Sequence, residues 1–193
     1  MGVTLTRSRA ACALVLATAL AACSSVGGVD ASKVSPISND DTFATLGYLW
    51  GGARTAIVNK REPSASPFNL ALSYQLPCTR GGQGGYQGTL AGTKSGGIGS
   101  ATLSLTATLA ECKFDDNVTI TTITASGVTI TGTIDIANDT WGAINLRMIA
   151  TTVTVNGKAC PGGVDVRLTG TSPGTPPIST GTACGRTGAV ALP

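Results

Sequence analysis

The chain has no histidine among its 193 residues. That removes Ser-His-Asp and Cys-His catalysis together with the commonest transition-metal ligand, and leaves acid–base work to carboxylates and lysine. Charged residues make up only 12% and aromatics only 4%. The first excludes the basic footprint of a nucleic-acid binder, and the second leaves too few rings for the girdles of an outer-membrane barrel. The longest apolar run, from Ala10 to Leu20, is too short to cross a bilayer as a helix.

That run has a definite context. Arg7 and Arg9 precede it, and Leu20, Ala21, Ala22 and Cys23 close it, followed by Ser24 and Ser25. A charged start, a short apolar middle and small residues at the end are the ordered parts of an export signal. Over these first 25 residues the chain resembles bacterial lipoprotein precursors. The resemblance implies cleavage before Cys23, lipid on its sulfur, and a partner membrane reached through that lipid. In the family pattern a Ser after the cysteine is compatible with sorting to the outer membrane. An ordinary secreted signal that happens to end near a cysteine is the plainer alternative. The remainder of the chain carries no family resemblance.

Removing residues 1–22 leaves 171 residues, enough for one domain with a real core. Arg7 and Arg9 leave with the signal, so 11 of the 13 basic residues remain against 10 acidic ones. A nearly neutral chain rich in Thr, Gly, Ser and Val describes a β-rich extracytoplasmic protein.

Cys12 goes with the signal and Cys23 with the lipid, leaving Cys78, Cys112, Cys160 and Cys184. An even number in an oxidising compartment points to two disulfides. Cys78 leads through Gly81 and Gly82 into a segment ending Leu90-Ala91-Gly92-Thr93, and Cys160 leads through Gly162 and Gly163 into one ending Leu168-Thr169-Gly170-Thr171. Each unit closes with another cysteine, so the expected pairs are Cys78–Cys112 and Cys160–Cys184. A four-thiolate metal site is the rival; the absence of any CxxC pair argues against it. No metal and no cofactor is expected.

Residues 23–39 are small, polar and without period, as in a flexible tether. Residues 40–193 are expected to form a single β-rich domain. It opens with a helix over about 40–61, on which Phe43, Leu46, Trp50, Ala53 and Ile57 share a side. Asp40 and Asp41 at its start and Lys60 and Arg61 at its end suit the helix dipole. Gly47, Gly51 and Gly52 disfavour isolated helix, so their expected use is close approach to a sheet.

Beyond Pro67 the period becomes two. Apolar Phe68, Leu70, Leu72, Tyr74 and Leu76 alternate with polar or small residues, as do Ala101–Leu109 and Val128–Ile136. Shorter alternations near 86–93, 117–124, 142–155, 164–171 and 188–192 bring the count to about eight strands, each with one dry face. That pattern predicts an antiparallel meander, with Asn156-Gly157 as its strongest hairpin turn. A slip of apolar phase from Ile144, Leu146 and Met148 to Ile149, Val153 and Val155 predicts a bulge near 149–152. The dry face must be covered, so the expected fold is mainly β: a strongly curved sheet or open barrel with the helix on its concave side.

Little in the sequence points to chemistry. Glu111, Asp115 and Asp116 form the one acidic cluster, without the ordered spacing of a calcium loop. The run Gly92-Thr93-Lys94-Ser95 lacks the order of a phosphate loop and reads as a hairpin tip. Trp50 and Tyr74 fall in the dry phase. Trp141 falls in phase with Asn145 and Arg147, so Trp141 and Arg147 are the candidate contacts for a partner, with a lid over the sheet end as the plainer use of the Trp.

These features lead to the expectation of a lipid-anchored, non-enzymatic cell-envelope lipoprotein, most simply of the outer membrane, whose β-domain is structural or binds an envelope protein. A carrier of a lipid or other apolar ligand is the alternative, and a hydrolase using Glu111 with a nearby Asp the third.

Overall fold

The computed structural model describes residues 37–60, 63–64, 66–115 and 120–193. Cys23, the tether up to residue 36, Arg61 and Asp116 lie outside them.

Ser38 begins the first element. Its Oγ accepts the Asp41 amide at 3.0 Å, and helix α1 runs Asn39–Val58, three residues short of the expected end. Asp40 and Asp41 occupy the first turn, where the exposed N–H groups favour negative charge. The buried stripe is Thr42, Thr45, Leu46, Leu49, Trp50, Gly52, Ala53, Ala56 and Ile57. Phe43, expected in that stripe, is instead 37% exposed. Leu49 and Ala56 take the centre of the inward face and turn Phe43 to its margin.

Nine strands follow: β1 Phe68–Leu76, β2 Gln83–Ser95, β3 Ile98–Asp115, β4 Ile120–Ala137, β5 Thr140–Val155, β6 Lys158–Ala159, β7 Val164–Gly170, β8 Ile178–Ala183 and β9 Arg186–Ala191. All pair antiparallel in one sheet of order β1-β2-β3-β4-β5-β7-β8-β9, with β6 on the end of β5. β1 and β9 do not pair with each other, so the sheet is curved but not closed. Hairpins at Gly96-Gly97, Asn138-Asp139, Asn156-Gly157 and Cys184-Gly185 all have both central residues at positive φ. That is the twist a two-residue antiparallel turn requires.

Of two expected segments, 117–124 and 128–136, the described residues 120–124 and 128–136 are parts of the single strand β4, and 117–119 lie outside the described residues. β6 and β8 have no counterpart in the sequence reading. In β8 the pattern is inverted, because Ser179 and Ala183 point inward while Ile178 is 52% exposed, so no alternation of apolar residues shows.

The dry face wraps α1. Phe114 of β3 stacks on Tyr48 with ring centroids 3.7 Å apart, and Tyr86 of β2 donates its hydroxyl to the Leu49 carbonyl at 3.0 Å. Arg186 of β9 donates to the Ile37 carbonyl at 2.7 Å, and Asn156 after β5 reaches Asp41 at 3.3 Å. Partners on strands so far apart in the sheet can meet one helix only if the sheet curls around it. Trp50, Leu49, Ala53 and Ile57 are fully buried in the concavity.

The three longest strands change phase together. Ala110-Glu111, Ser126-Gly127 and Thr151-Thr152 are each two consecutive outward residues, and the buried positions resume on the same face beyond them. Glu111 and Gly127 have φ of 47° and 62°. The bulge expected near 149–152 is not there: Ser126↔Thr152 and Val128↔Ala150 keep an unbroken β4–β5 register. The slip of phase is one end of a bend line crossing β3, β4 and β5, at which neighbouring strands turn together and keep one dry face around the helix.

Two disulfides fasten the ends of this sheet. Cys78, after β1, bonds Cys112, just past the bend in β3, with a Cα–Cα distance of 5.0 Å. Cys160, after β6, bonds Cys184 in the β8–β9 turn at 4.3 Å.

Candidate functional site

One end of the concavity lies under β7–β9. There a half-open groove of about 300 Å³ lies between the first two turns of α1 and the inner face of the last strands. Its floor follows from the pairing of β8 with β9, in which Ser179 faces Val190, Gly181 faces Gly188 and Ala183 faces Arg186. The middle pair is two glycines, so the sheet puts no side chain into that space. Gly181, at φ 139°, cannot take one easily, since a Cβ there would strike the Asp165 carbonyl. Gly188 has no such constraint, and a Cβ on it would meet nothing within 4 Å. Phe43 and Leu46 from α1 and Val166 from β7 form the apolar walls.

One cation lines the groove. The Arg186 guanidinium is held by its Nη2 bond to the Ile37 carbonyl, while its Nε–H is buried and has no hydrogen-bond partner among the described residues. A buried unpaired donor costs about 1–3 kcal/mol. Asp40, the one carboxylate among the lining residues, is exposed at the mouth. Apolar walls with one guanidinium among them suit the holding of an amphiphile. The lining contains no pair of carboxylates in position for acid–base work.

The residues singled out in the sequence fall elsewhere. Trp141 is not an exposed contact: it is 8% exposed, packs edge-on to Phe68 with centroids 6.5 Å apart, and donates Nε1–H to the Lys60 carbonyl at 3.2 Å. The cause is a bulge. Between the pairs Ile134↔Ile144 and Ile136↔Trp141, β5 has one residue more than β4, and that residue swings Trp141 to the dry face.

Arg147 stays on the wet face, clasped by Asp165 through two bonds of 2.8 and 2.7 Å. That bond and charge raise the Arg147 pKa, and the same bond lowers that of Asp165. Trp141 and Arg147 thus lie on opposite faces and make no joint site. Glu111 sits on the bend line with its amide bonded to Thr124 Oγ1 at 3.1 Å, and Asp115 accepts from Arg80 Nε at 2.7 Å. Among the described residues no cluster of three His, Cys, Asp or Glu is placed to hold a metal ion.

The groove was not visible in the sequence because its floor is made of what β8 and β9 lack. The signal available was the pair of glycines in consecutive weak segments, Gly181 and Gly188, ahead of any knowledge that they pair. Compared with protein-family models, curated proteins and solved structures, the chain matches none.

Proposed function

We propose that the protein is a lipid-anchored cell-envelope lipoprotein whose disulfide-stapled β-domain is a non-enzymatic structural or binding module, held at the outer membrane through acylated Cys23. The observation that carries this reading is the order Arg7, Arg9, apolar run, Leu20-Ala21-Ala22-Cys23 ahead of a domain with two disulfides. An exported chain meets the oxidising conditions in which such bonds persist. No helix among the described residues is long and apolar enough to cross a membrane. The curved sheet spends its dry face on α1, so a lipid on Cys23 is the means of attachment this reading requires.

Growing cells with an alkyne-bearing fatty acid tests it. The chain should take up the label and fractionate with membranes, and Cys23→Ser should remove the label and release the chain. Equal labelling of Cys23→Ser, or an unlabelled soluble native chain, would sink the proposal.

The groove favours a second reading, that of a carrier for a small apolar ligand. A cavity of this volume is at the small end of ligand sites, which run to about 300–1,000 Å³.

A further inference from the structure

We infer that the groove between α1 and β7–β9 binds a single short aliphatic chain ending in a carboxylate, with the carboxylate at the Arg186 guanidinium and the chain over the Gly181–Gly188 floor. The inference gives the carrier reading a site and a ligand class, and it does not depend on how the protein is anchored.

Three observations converge. The walls from Phe43, Leu46, Val166 and Val190 are apolar, and Phe43 remains 37% exposed. The space is fixed by backbone, because Gly181 and Gly188 face each other without side chains. The groove is also lined by the Arg186 guanidinium, which its Nη2 bond to the Ile37 carbonyl fixes in place. A guanidinium N–H to a carboxylate is a charge-assisted bond, stronger than one to a neutral acceptor. The size admits one short chain and not the paired acyl chains of a phospholipid. Asp40 at the mouth repels a second negative charge, which favours a monoanion over a polyanionic head group.

The test uses the full chain bearing Cys23→Ser, titrated with sodium octanoate and followed by amide and arginine Nε–H NMR signals and by calorimetry. Octanol and acetate are the comparison ligands. Octanoate should shift the signals of Gly181, Gly188 and the Arg186 Nε–H, and should bind at least tenfold more tightly than octanol or acetate. Gly188→Leu fills open space at a φ that a side chain tolerates, and should abolish binding of octanoate and octanol alike. Arg186→Gln should bring octanoate down to the level of octanol and leave octanol unchanged.

Amide spectra of both variants report whether they are folded, and since Arg186 also ties down Ile37, Gly188→Leu keeps the test decisive if Arg186→Gln is disordered. Octanoate binding that survives Gly188→Leu, that maps away from the groove, or that is matched by octanol would overturn the inference. An unlabelled native chain, or equal labelling of Cys23→Ser, would overturn the anchoring proposal and leave this one standing, so the two failures are distinguishable.

Discussion

The Tyr86 ring occupies the place where a side chain on Gly52 would be: a Cβ built at that position would run into Cε2, Cζ and Oη of the tyrosine. Gly52 is fully within the buried stripe of α1, and its missing side chain lets β2 come close enough for the Tyr86 hydroxyl to reach the Leu49 carbonyl. The helical cost of glycine is offset by a close contact between helix and sheet.

Gly52→Ala is therefore expected to lower stability by about 1–3 kcal/mol, the usual cost of overpacking a filled core, despite the better helix propensity of Ala. Gly51→Ala is the opposite case, because nothing lies within 4 Å of its Cβ position, and should raise stability by about 0.5–1 kcal/mol. Urea unfolding of the two variants separates close packing from propensity. Equal effects would contradict the packing account.

Tyr86 should be silent in an alkaline titration of the folded protein. Burial first, and the neighbouring Tyr74 second, push its phenol well above the ordinary 10.0. The folded state holds the proton more tightly than the unfolded one. Tyr86 then contributes stability that is fully present below pH 10 and declines as the pH rises above it. Absorbance at 295 nm should show the Tyr86 phenolate appearing only with unfolding, and Tyr86→Phe should flatten the loss of stability on the alkaline side.

Each disulfide should contribute about 3–4 kcal/mol on the chain-entropy account, slightly more for Cys78–Cys112, with a sequence separation of 34, than for Cys160–Cys184, with 24. Paired Cys→Ala variants compared in urea check this. The same experiment shows which half of the sheet depends on its bond, since Cys160–Cys184 fastens the β7–β9 end that forms the groove. Loss of that pair should loosen amide protection at Gly181 and Gly188 before it affects β1–β4.

On the wet face, Asp165 should titrate below the ordinary carboxylate range because Arg147 donates to it. Its depressed pKa gives a contribution present above the unfolded value and lost as the pH falls through the folded one. Both side chains are exposed, so salt should erode the effect. Arg147→Gln should return the Asp165 carboxyl, followed by NMR, to its ordinary range, and an unchanged value would contradict the observed clasp.

Much of the architecture was legible because it rests on local rules. Alternation in Phe68–Leu76 and Ala101–Leu109 gave strands with a dry face, Asn156-Gly157 gave a tight hairpin, and the repeated Cys-Gly-Gly text gave the two disulfide pairs. The errors fall where a local rule was overruled by pairing. Trp141 was placed outward by counting twos, and a single bulged residue in β5 reversed it. β8 was invisible because its inward positions hold Ser179, Gly181 and Ala183, whose burial comes from neighbouring strands and not from their own hydrophobicity.

The sequence by itself determined the class of the domain and the identity of each disulfide, since these depend on the order of residue types along the chain. Tertiary structure alone decided which residues share a space. Arg186 and Ile37 are far apart in the chain, and Gly181 faces Gly188 only once β8 and β9 pair. The groove exists because two strands bring their smallest residues into register opposite one helix turn. Sequence order sets each residue's chemistry, but register and sheet curvature set its neighbours, and a site is made of neighbours.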